Sequence, residues 1–129
     1  MKRIQVAVGI IQNQQGDYLV GQRTVEDAYY QKWEFPGGKL EQNETAKQAL
    51  KRELFEELGV DVNACTELLM LEHNYPDRHV RLFVRQVTQY SGEVRGAEGQ
   101  ALQWVSLEQL SQLDFLAGNQ AIIECLMTG

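Results

Sequence analysis

The stretch RELFEELG, residues 52–59, places three glutamates (Glu53, Glu56 and Glu57) within five positions of one another, among leucines. Residues three and four apart are neighbours on a helix surface, so these carboxylates would lie together. On a solvated face each pair would repel by only ~0.2–0.5 kcal/mol, but beside a core, at an effective dielectric of ~20, carboxylates ~6 Å apart repel by about 3 kcal/mol. Such a cluster next to a core therefore requires cations.

The residues around this stretch predict a helix with defined ends. Thr45 is placed to cap its N-terminus, with Gln48 completing a capping box, and Gly59 supplies the C-terminal stop. Apolar residues at helical spacing predict the face that packs on the core; they are Ala46, Leu50, Leu54 and Leu58. The glutamates fall on the adjacent arc, where Arg52 reaches Glu56 at i+4 but cannot neutralise three acids.

A hard divalent cation is the natural partner for these carboxylates. Mg²⁺ prefers carboxylate oxygens, keeps several waters and is usually recruited together with substrate phosphates. Upstream, PGGK at residues 36–39 lets the backbone come close to a metal or a phosphate, because glycine has no side chain. These residues favour an acidic helix face that holds one or more Mg²⁺ ions against a phosphate-bearing ligand. A solvated acidic helix is the competing interpretation.

Strands and helices are predicted on both sides of this helix. Before the helix, the predicted order is a strand in RIQVAVGII, a turn at NQQGD, a strand in YLVGQR, a polar loop over residues 24–32 and the short WEFPGG. After the helix come strands ELLMLEHN and HVRLFVRQV around the turn YPDR, and then a Gly-rich loop. The chain continues with a strand near Leu102 and Trp104, a short helix from Ser106 and a last helix in NQAIIECLM. Because the elements do not alternate strictly, an α/β architecture with a mixed sheet covered by helices is expected.

Composition limits the class of protein. A chain of 129 residues fits one domain, residues 1–129, and a net charge of −6 argues against nucleic-acid polymers and membrane surfaces as partners. Cys65 and Cys125 form no CxxC pair, so a zinc site is not expected; buried thiols are favoured, and a single disulfide stays open. Without a signal-peptide pattern or an apolar run of ~20 residues, we expect a cytoplasmic protein, and nothing demands more than a monomer.

The stretch GKLEQNETAKQALKRELFEELGV, residues 38–60, resembles the Nudix box at every fixed position. Those positions are Gly38, Glu44, Arg52, Glu53, Leu54, Glu56, Glu57, Gly59 and Val60. The likeness continues in QVAVGII, EFPGGK, YPDRH and EGQ, and is greatest to family members that hydrolyse 8-oxo-dGTP. It implies the Nudix fold, an α/β/α sandwich around a central mixed sheet. It also implies Mg²⁺-dependent hydrolysis of a nucleoside triphosphate, with Mn²⁺ as a possible substitute, to the monophosphate and pyrophosphate.

The same resemblance assigns roles to individual residues. It implies metal ligands at the Gly37 carbonyl, Glu53, Glu56, Glu57 and Glu98. Glu53 is the favoured general base and Glu98 is a further candidate, and which glutamate takes the proton is left open. Glu44 and Arg52 complete the catalytic set, where they are expected to support and orient the ligands. Implied substrate-binding residues are Arg23, Phe35, Gly38, Lys39, Asp77, Arg78, Leu82 and Asn119.

Asn119 has two interpretations. Taken alone, an asparagine before the last predicted helix would be its N-cap. The resemblance instead places it in the base pocket, where an amide offers both a donor and an acceptor to a guanine-like edge.

Departures from the pattern lie outside the Nudix box. Ala28 stands where the pattern has histidine, Leu116 and Ala117 replace paired prolines, and Gly118 replaces alanine. Fewer prolines and an added glycine are expected to loosen the loop before Asn119 and to weaken selection of an oxidised base. Two alternatives to 8-oxo-dGTP hydrolysis remain: hydrolysis of another nucleotide, such as a modified cytosine triphosphate, and a non-catalytic nucleotide-binding module.

Overall fold

The computed structural model describes residues 2–128, and its elements follow the predicted order. They are β1 (Lys2–Ile10), β2 (Tyr18–Gln22), β3 (Trp33–Glu34), β4 (Gly37–Lys39), α1 (Ala46–Leu58), β5 (Asp61–Tyr75), β6 (Arg78–Ser91), β7 (Leu102–Val105), α2 (Leu107–Leu110), a 3₁₀ helix (Ala117–Asn119) and α3 (Gln120–Thr128). Within residues 2–128, no helix is long and apolar enough to cross a membrane.

Strands β5 and β6 are longer than the sequence predicted. Their antiparallel pairing runs from Asp61 opposite Ser91 to Tyr75 opposite Arg78, with register shifts in the first half of β5. A bulge adds a residue to one strand and interrupts the inward–outward alternation of side chains. The apolar–polar alternation in the sequence therefore ends before the strand pairing does. The tight turn predicted at YPDR joins the two strands and brings residues 75–78 to one end of the sheet.

The strands form two sheets. A four-stranded mixed sheet has the order β4-β1-β6-β5, in which β1 and β6 are parallel and the other pairs are antiparallel. A three-stranded antiparallel sheet has the order β3-β2-β7. The predicted α/β class with a mixed sheet flanked by helices is confirmed.

Two hydrophobic cores lie on opposite sides of β1. Val8 and Ile10 belong to the core that includes Ile122 and Ile123 of α3, whereas the core against α1 contains Ala7. Alternate residues of a strand point to opposite faces, so β1 is covered on both sides. On α1 the buried residues are Ala49, Leu50, Leu54 and Leu58. Ala46, predicted in this set, is only half-buried, and the helix buries Ala49 instead.

Capping fixes both ends of α1. The Thr45 side chain accepts from the Gln48 amide at 3.1 Å, and the Gln48 side chain accepts from the Thr45 amide at 2.9 Å. Gly59 has φ +72°, and its amide donates to the Phe55 carbonyl at 3.0 Å. Both predicted caps are confirmed, and so is the Ser106 cap of α2. The last turn of α1, which carries the glutamates, therefore has a defined position.

Both cysteines are free thiols in the structure. Cys65 and Cys125 are each half-buried and unpaired, so the disulfide that the sequence left open is not formed. Cys65 packs against the core next to α1, but neither thiol is fully buried as the sequence predicted.

We expect the Gly37→Ala substitution to lower the free energy of unfolding by about 3 kcal/mol or more. A Cβ at this position would overlap the Ala7 carbonyl oxygen, which belongs to the adjacent strand β1. Gly38→Ala is the matched control, because its Cβ would overlap the Glu53 side chain, which can change rotamer, and not a backbone carbonyl. Urea unfolding measures both values, and equal stability of the two variants would contradict the tight β4–β1 contact.

Candidate active site

Arg52 organises the acidic face of α1. Its guanidinium donates two bonds to Glu44, from Nε at 2.8 Å and from Nη2 at 2.9 Å, and one from Nη1 to Glu53 Oε1 at 2.7 Å. Nη2 also donates to the Lys39 carbonyl at 3.0 Å. Glu56, the partner predicted at i+4, lies farther away at 3.6 Å. Arg52 therefore orients Glu53 and ties α1 to the end of β4, which fits the predicted orienting role.

Glu44 supports Arg52 from the opposite side. Hydrogen bonds from Arg52 and from the Glu41 amide hold the pKa of Glu44 down to about 2. Hydrogen bonds to Glu44 and to Glu53 raise the pKa of the Arg52 guanidinium above its usual value. Glu44 thus stays ionised at neutral pH and faces the guanidinium.

Glu57 is the most perturbed carboxyl of the site. Burial raises its pKa to about 9, and the charges of Glu53, Glu34 and Glu98 act in the same direction. The Gly37 amide donates to Glu57 Oε2 at 3.0 Å and only partly offsets these effects. Partly buried carboxylates near one another fit a hard divalent cation such as Mg²⁺, whose charge would offset both the burial and the repulsion that raise the pKa.

The predicted metal-binding set is only partly assembled. Across residues 2–128, no three His, Cys, Asp or Glu side chains are placed to hold one ion as they stand. Glu53 bonds to Arg52, and Glu56 lies on the outer side of α1 with 51% of its side chain exposed. The structure brings Glu53 and Glu57 next to the Gly37–Gly38 backbone. Arg52 bonds Glu53 through Oε1, and Oε2 lies against the Gly38 backbone.

The loop between β6 and β7 places Glu98 opposite Glu57. The Gln100 side chain donates to the Glu57 carbonyl at 3.1 Å and accepts from the Glu98 amide at 3.1 Å. The Ala97 amide donates to the same carbonyl at 2.9 Å. These bonds satisfy a carbonyl at the C-terminal end of α1, and they carry Glu98 close enough for its charge to raise the pKa of Glu57.

Glu34 is a site residue that the sequence analysis missed. Its carboxylate accepts from Arg23 Nη1 at 3.4 Å, and its charge contributes to the raised pKa of Glu57. Burial raises the pKa of Glu34 itself, against the lowering effect of Arg23. An acid between Trp33 and Phe35 in a two-residue strand has no periodic signal, so its local sequence did not separate it from a solvated residue.

An apolar pocket of about 210 Å³ lies beside the acidic site. Seven of the eight predicted substrate-binding residues line it, namely Arg23, Phe35, Gly38, Lys39, Arg78, Leu82 and Asn119. A second depression of about 170 Å³ is lined by Glu57 and Glu98. Arg23 and Glu34 line both, so the two depressions adjoin. A ligand with a flat apolar group and a charged group could bind the first in the apolar pocket and the second in the adjoining acidic depression.

Asn119 is held with a defined orientation. Asn119 is 5% exposed, and its side-chain Oδ1 accepts a hydrogen bond from the Phe35 amide at 3.1 Å. Because an N–H is the donor, the acceptor has to be the amide oxygen, and the position of Nδ2 follows. The N-cap interpretation is wrong: Asn119 lies in the 3₁₀ helix, and its oxygen is engaged with Phe35.

Asp77, the eighth predicted residue, is not among the pocket-lining residues. Its carboxylate accepts from the Tyr29 hydroxyl at 2.9 Å, which joins the loop after β2 to the β5–β6 turn. The Arg78 guanidinium lies 5.0 Å from the Tyr29 ring centroid, within cation–π distance. Within the part of the chain described, Nε of Arg23 and Nε of Arg78 are buried without a hydrogen-bond partner. These donors are suited to acceptor groups of a ligand.

A model of the NUDIX domain matches residues 7–125. The chain belongs to the Nudix family. The 8-oxo-dGTP diphosphatase of Escherichia coli K12 is 41% identical over 123 residues, which cover 95% of each chain. The CTP pyrophosphohydrolase of the same organism is 33% identical over 127 residues, 98% of this chain and 93% of the relative.

The Nudix assignment extends to solved structures. A MutT structure from work on the Aliivibrio salmonicida and Vibrio cholerae proteins has a TM-score of 0.82 and 31% identity, and the match covers 100% of this chain and 99% of that one. This protein is therefore a Nudix hydrolase, and nucleotide pyrophosphohydrolysis is the chemistry that its named relatives share. Nudix hydrolases generally need divalent metal ions, which agrees with the acidic set on α1.

Proposed function

We propose that this Nudix hydrolase converts 8-oxo-dGTP to 8-oxo-dGMP and pyrophosphate and so removes an oxidised, mutagenic precursor from the nucleotide pool. The observation that carries the proposal is the junction of the two depressions, where Arg23 and Glu34 line both the Asn119 pocket and the Glu57 site. A base in the first depression would place its triphosphate toward the second. The 41% identity to an 8-oxo-dGTP diphosphatase supports this assignment.

In the proposed reaction, Glu53, Glu57 and Glu98 would hold Mg²⁺ together with the Gly37 backbone, and Mn²⁺ would substitute. When bound, the ion would screen the phosphate charges and lower the pKa of a bound water. Glu53, oriented by Arg52, accepts a proton as the water oxygen attacks the β-phosphorus. The bond from the β-phosphorus to the bridging oxygen breaks, so the monophosphate leaves and the pyrophosphate keeps the water oxygen.

Base selection is assigned to the walls of the apolar pocket. The Asn119 amide group is fixed by Phe35 and presents its remaining hydrogen-bonding groups to the edge of the base. Leu82, which is 5% exposed, contributes an apolar wall, and the planar guanidinium of Arg78 lies at the rim. A polar edge bonded to a fixed amide discriminates more strongly than an apolar cavity does, because a wrong base leaves the amide unpaired.

The direct test is pyrophosphate release from 8-oxo-dGTP, dGTP and CTP, measured side by side with Mg²⁺, Mn²⁺ or EDTA. We expect metal-dependent turnover with kcat/KM for 8-oxo-dGTP higher than for dGTP by about 10²-fold or more. Equal, weak turnover of the oxidised and unoxidised nucleotides would overturn the assignment. Preference for CTP would favour the second candidate, cytosine nucleotide hydrolysis, which the 33% identity to a CTP pyrophosphohydrolase supports. No turnover of any nucleotide would indicate a binding module.

We expect Asn119→Ala to reduce the preference for 8-oxo-dGTP over dGTP by about 10–100-fold and to leave slow general hydrolysis. Asn119→Asp is the matched variant, because a carboxylate still accepts from the Phe35 amide but has no N–H to offer the base. The ratio of kcat/KM values measures the preference, and thermal unfolding reports the Phe35 bond. A preference that survives both substitutions would show that the base binds elsewhere.

A further inference from the structure

The Tyr75 hydroxyl contacts the backbone just before Asn119. Tyr75 ends β5, is 6% exposed, and accepts a hydrogen bond from the Gly118 amide at 2.7 Å. The Asn119 amide in turn donates to the Leu116 carbonyl at 2.9 Å. These two bonds fix consecutive amides of the segment that carries Asn119. The loosening expected from the missing prolines stays a prediction, but the structure adds an anchor that sequence pattern did not indicate.

The Tyr75 hydroxyl also explains why residue 118 is glycine. A Cβ at Gly118 would lie 2.5 Å from the Tyr75 hydroxyl oxygen, which is closer than real Cβ atoms approach. The backbone of Gly118 is not in the left-handed region, so its conformation alone would accept alanine. Alanine at residue 118 would therefore force the Tyr75 hydroxyl to move, and the two residues are in direct contact across the fold.

The ring of Tyr75 meets a second group of the pocket. The Arg78 guanidinium lies 5.6 Å from the Tyr75 ring centroid, and the Tyr29 ring packs edge-on against Tyr75 at 5.1 Å. Tyr75 lines the apolar pocket together with Arg78 and Asn119. One side chain thus contacts the Asn119 segment through its hydroxyl and Arg78 through its ring.

We propose that Tyr75 is a positioning residue for base selection, which acts through the Gly118 amide on Asn119 and through its ring on Arg78. The proposal rests on the function proposed above. Because Tyr75 lines the apolar pocket and not the acidic depression, its hydroxyl affects which base is held and leaves the chemistry of the phosphates unchanged.

A double-mutant cycle tests the coupling. We expect Tyr75→Phe to lower the 8-oxo-dGTP to dGTP ratio of kcat/KM by about 2–10-fold, through KM, with kcat unchanged within error. Gly118→Ala alone should lower this ratio further than Tyr75→Phe does, because its methyl group overlaps the hydroxyl. In the double variant the methyl group occupies the space that the hydroxyl leaves. Adding Gly118→Ala to the Tyr75→Phe variant should therefore lower the ratio little further. Additive losses would overturn the proposal, as would a fall in kcat with KM unchanged.

Amide hydrogen exchange tests the anchor in the free protein. We expect Tyr75→Phe to reduce protection of the Gly118 amide by about 10-fold. Tyr29→Phe is the control for this measurement, since it removes a hydroxyl that bonds Asp77 and leaves Gly118 protected. Unchanged protection in Tyr75→Phe would refute the anchor. If the unsubstituted protein prefers CTP, the proposed substrate is wrong, and the double-mutant cycle is repeated with CTP and 8-oxo-dGTP. A ratio of kcat/KM for these two nucleotides that Tyr75→Phe leaves unchanged would then refute the positioning role separately.

Discussion

At pH 8 in EDTA, the Glu57→Gln variant is expected to unfold at a temperature about 3–8 °C higher than the unsubstituted protein, while its Mg²⁺-supported turnover is expected to fall by about 10³-fold or more. Both changes have one cause. Burial and neighbouring carboxylates raise the pKa of Glu57 from 4.5 to about 9, and a glutamine carries no charge to bury. Glutamine keeps the size of the side chain and an oxygen for the Gly37 amide, but it is a poor ligand for Mg²⁺.

The pH dependence follows from the sign of this shift. A carboxyl whose pKa is higher in the folded protein keeps its proton longer than in the unfolded chain, so its stabilising contribution is complete below pH 4.5 and is lost progressively up to pH 9. The difference in unfolding temperature between Glu57→Gln and the unsubstituted protein should therefore be small at pH 5 and large at pH 8. A destabilised Glu57→Gln protein at pH 8 would contradict the buried position of this carboxyl.

Metal addition and a control variant complete the experiment. Mg²⁺ should raise the unfolding temperature of the unsubstituted protein at pH 8, because an ion that binds only the folded state stabilises it. The same addition should have much less effect on Glu57→Gln. Glu124→Gln, on the exposed side of α3, is the control and should change neither quantity. An equal response of Glu57→Gln to Mg²⁺ would remove Glu57 from the metal site.

The Glu53→Gln variant is expected to lose about 10³–10⁵-fold in kcat, because in the proposed reaction Glu53 is both the general base and a metal ligand. Its side-chain oxygen still accepts from Arg52 Nη1, so folding and the Glu44–Arg52 contact should persist. Steady-state kinetics with 8-oxo-dGTP measures the loss, and thermal unfolding confirms that the protein is intact.

Glu56→Gln is the comparison for Glu53, since Glu56 lies three positions further on the same helix. Its side chain is half exposed, on the outer side of α1, and contacts Arg52 only at 3.6 Å. We therefore expect its loss in kcat to be at least about 10-fold smaller than that of Glu53→Gln. Equal losses would mean that Glu56 turns inward and ligates the ion, as the family resemblance implied.

Local signals were sufficient for the helix that carries the chemistry. The Thr45–Gln48 capping box, the Gly59 stop and the buried leucines of α1 depend on residues within four positions of one another. Such interactions are visible in sequence, because helix geometry alone brings their partners together. The acidic face could be predicted for the same reason, although the helix buries Ala49 where Ala46 was expected.

Contacts between distant residues required the tertiary structure. The partner of Arg52 predicted from helical spacing was Glu56, but Glu44 lies closer because the loop before α1 folds back onto the helix. Phe35 and Asn119 are separated by 84 positions, and Tyr75 and Gly118 by 43. No local pattern encodes these pairs. These residue pairs depend on the order and pairing of the strands in the two sheets. That arrangement sets the distance between the strand ends that form the pocket.

The sequence by itself determined the Nudix box and the capped helix, and it predicted a cation beside the acidic face, because each follows from residue types at short spacing. Only the tertiary structure decided that Glu34 joins the two depressions, that Asp77 bonds Tyr29, and that the Asn119 oxygen faces Phe35. The physical reason is that helix periodicity fixes neighbours along the chain, whereas neighbours across the fold are fixed by long-range strand pairing and by the packing of side chains on both faces of β1.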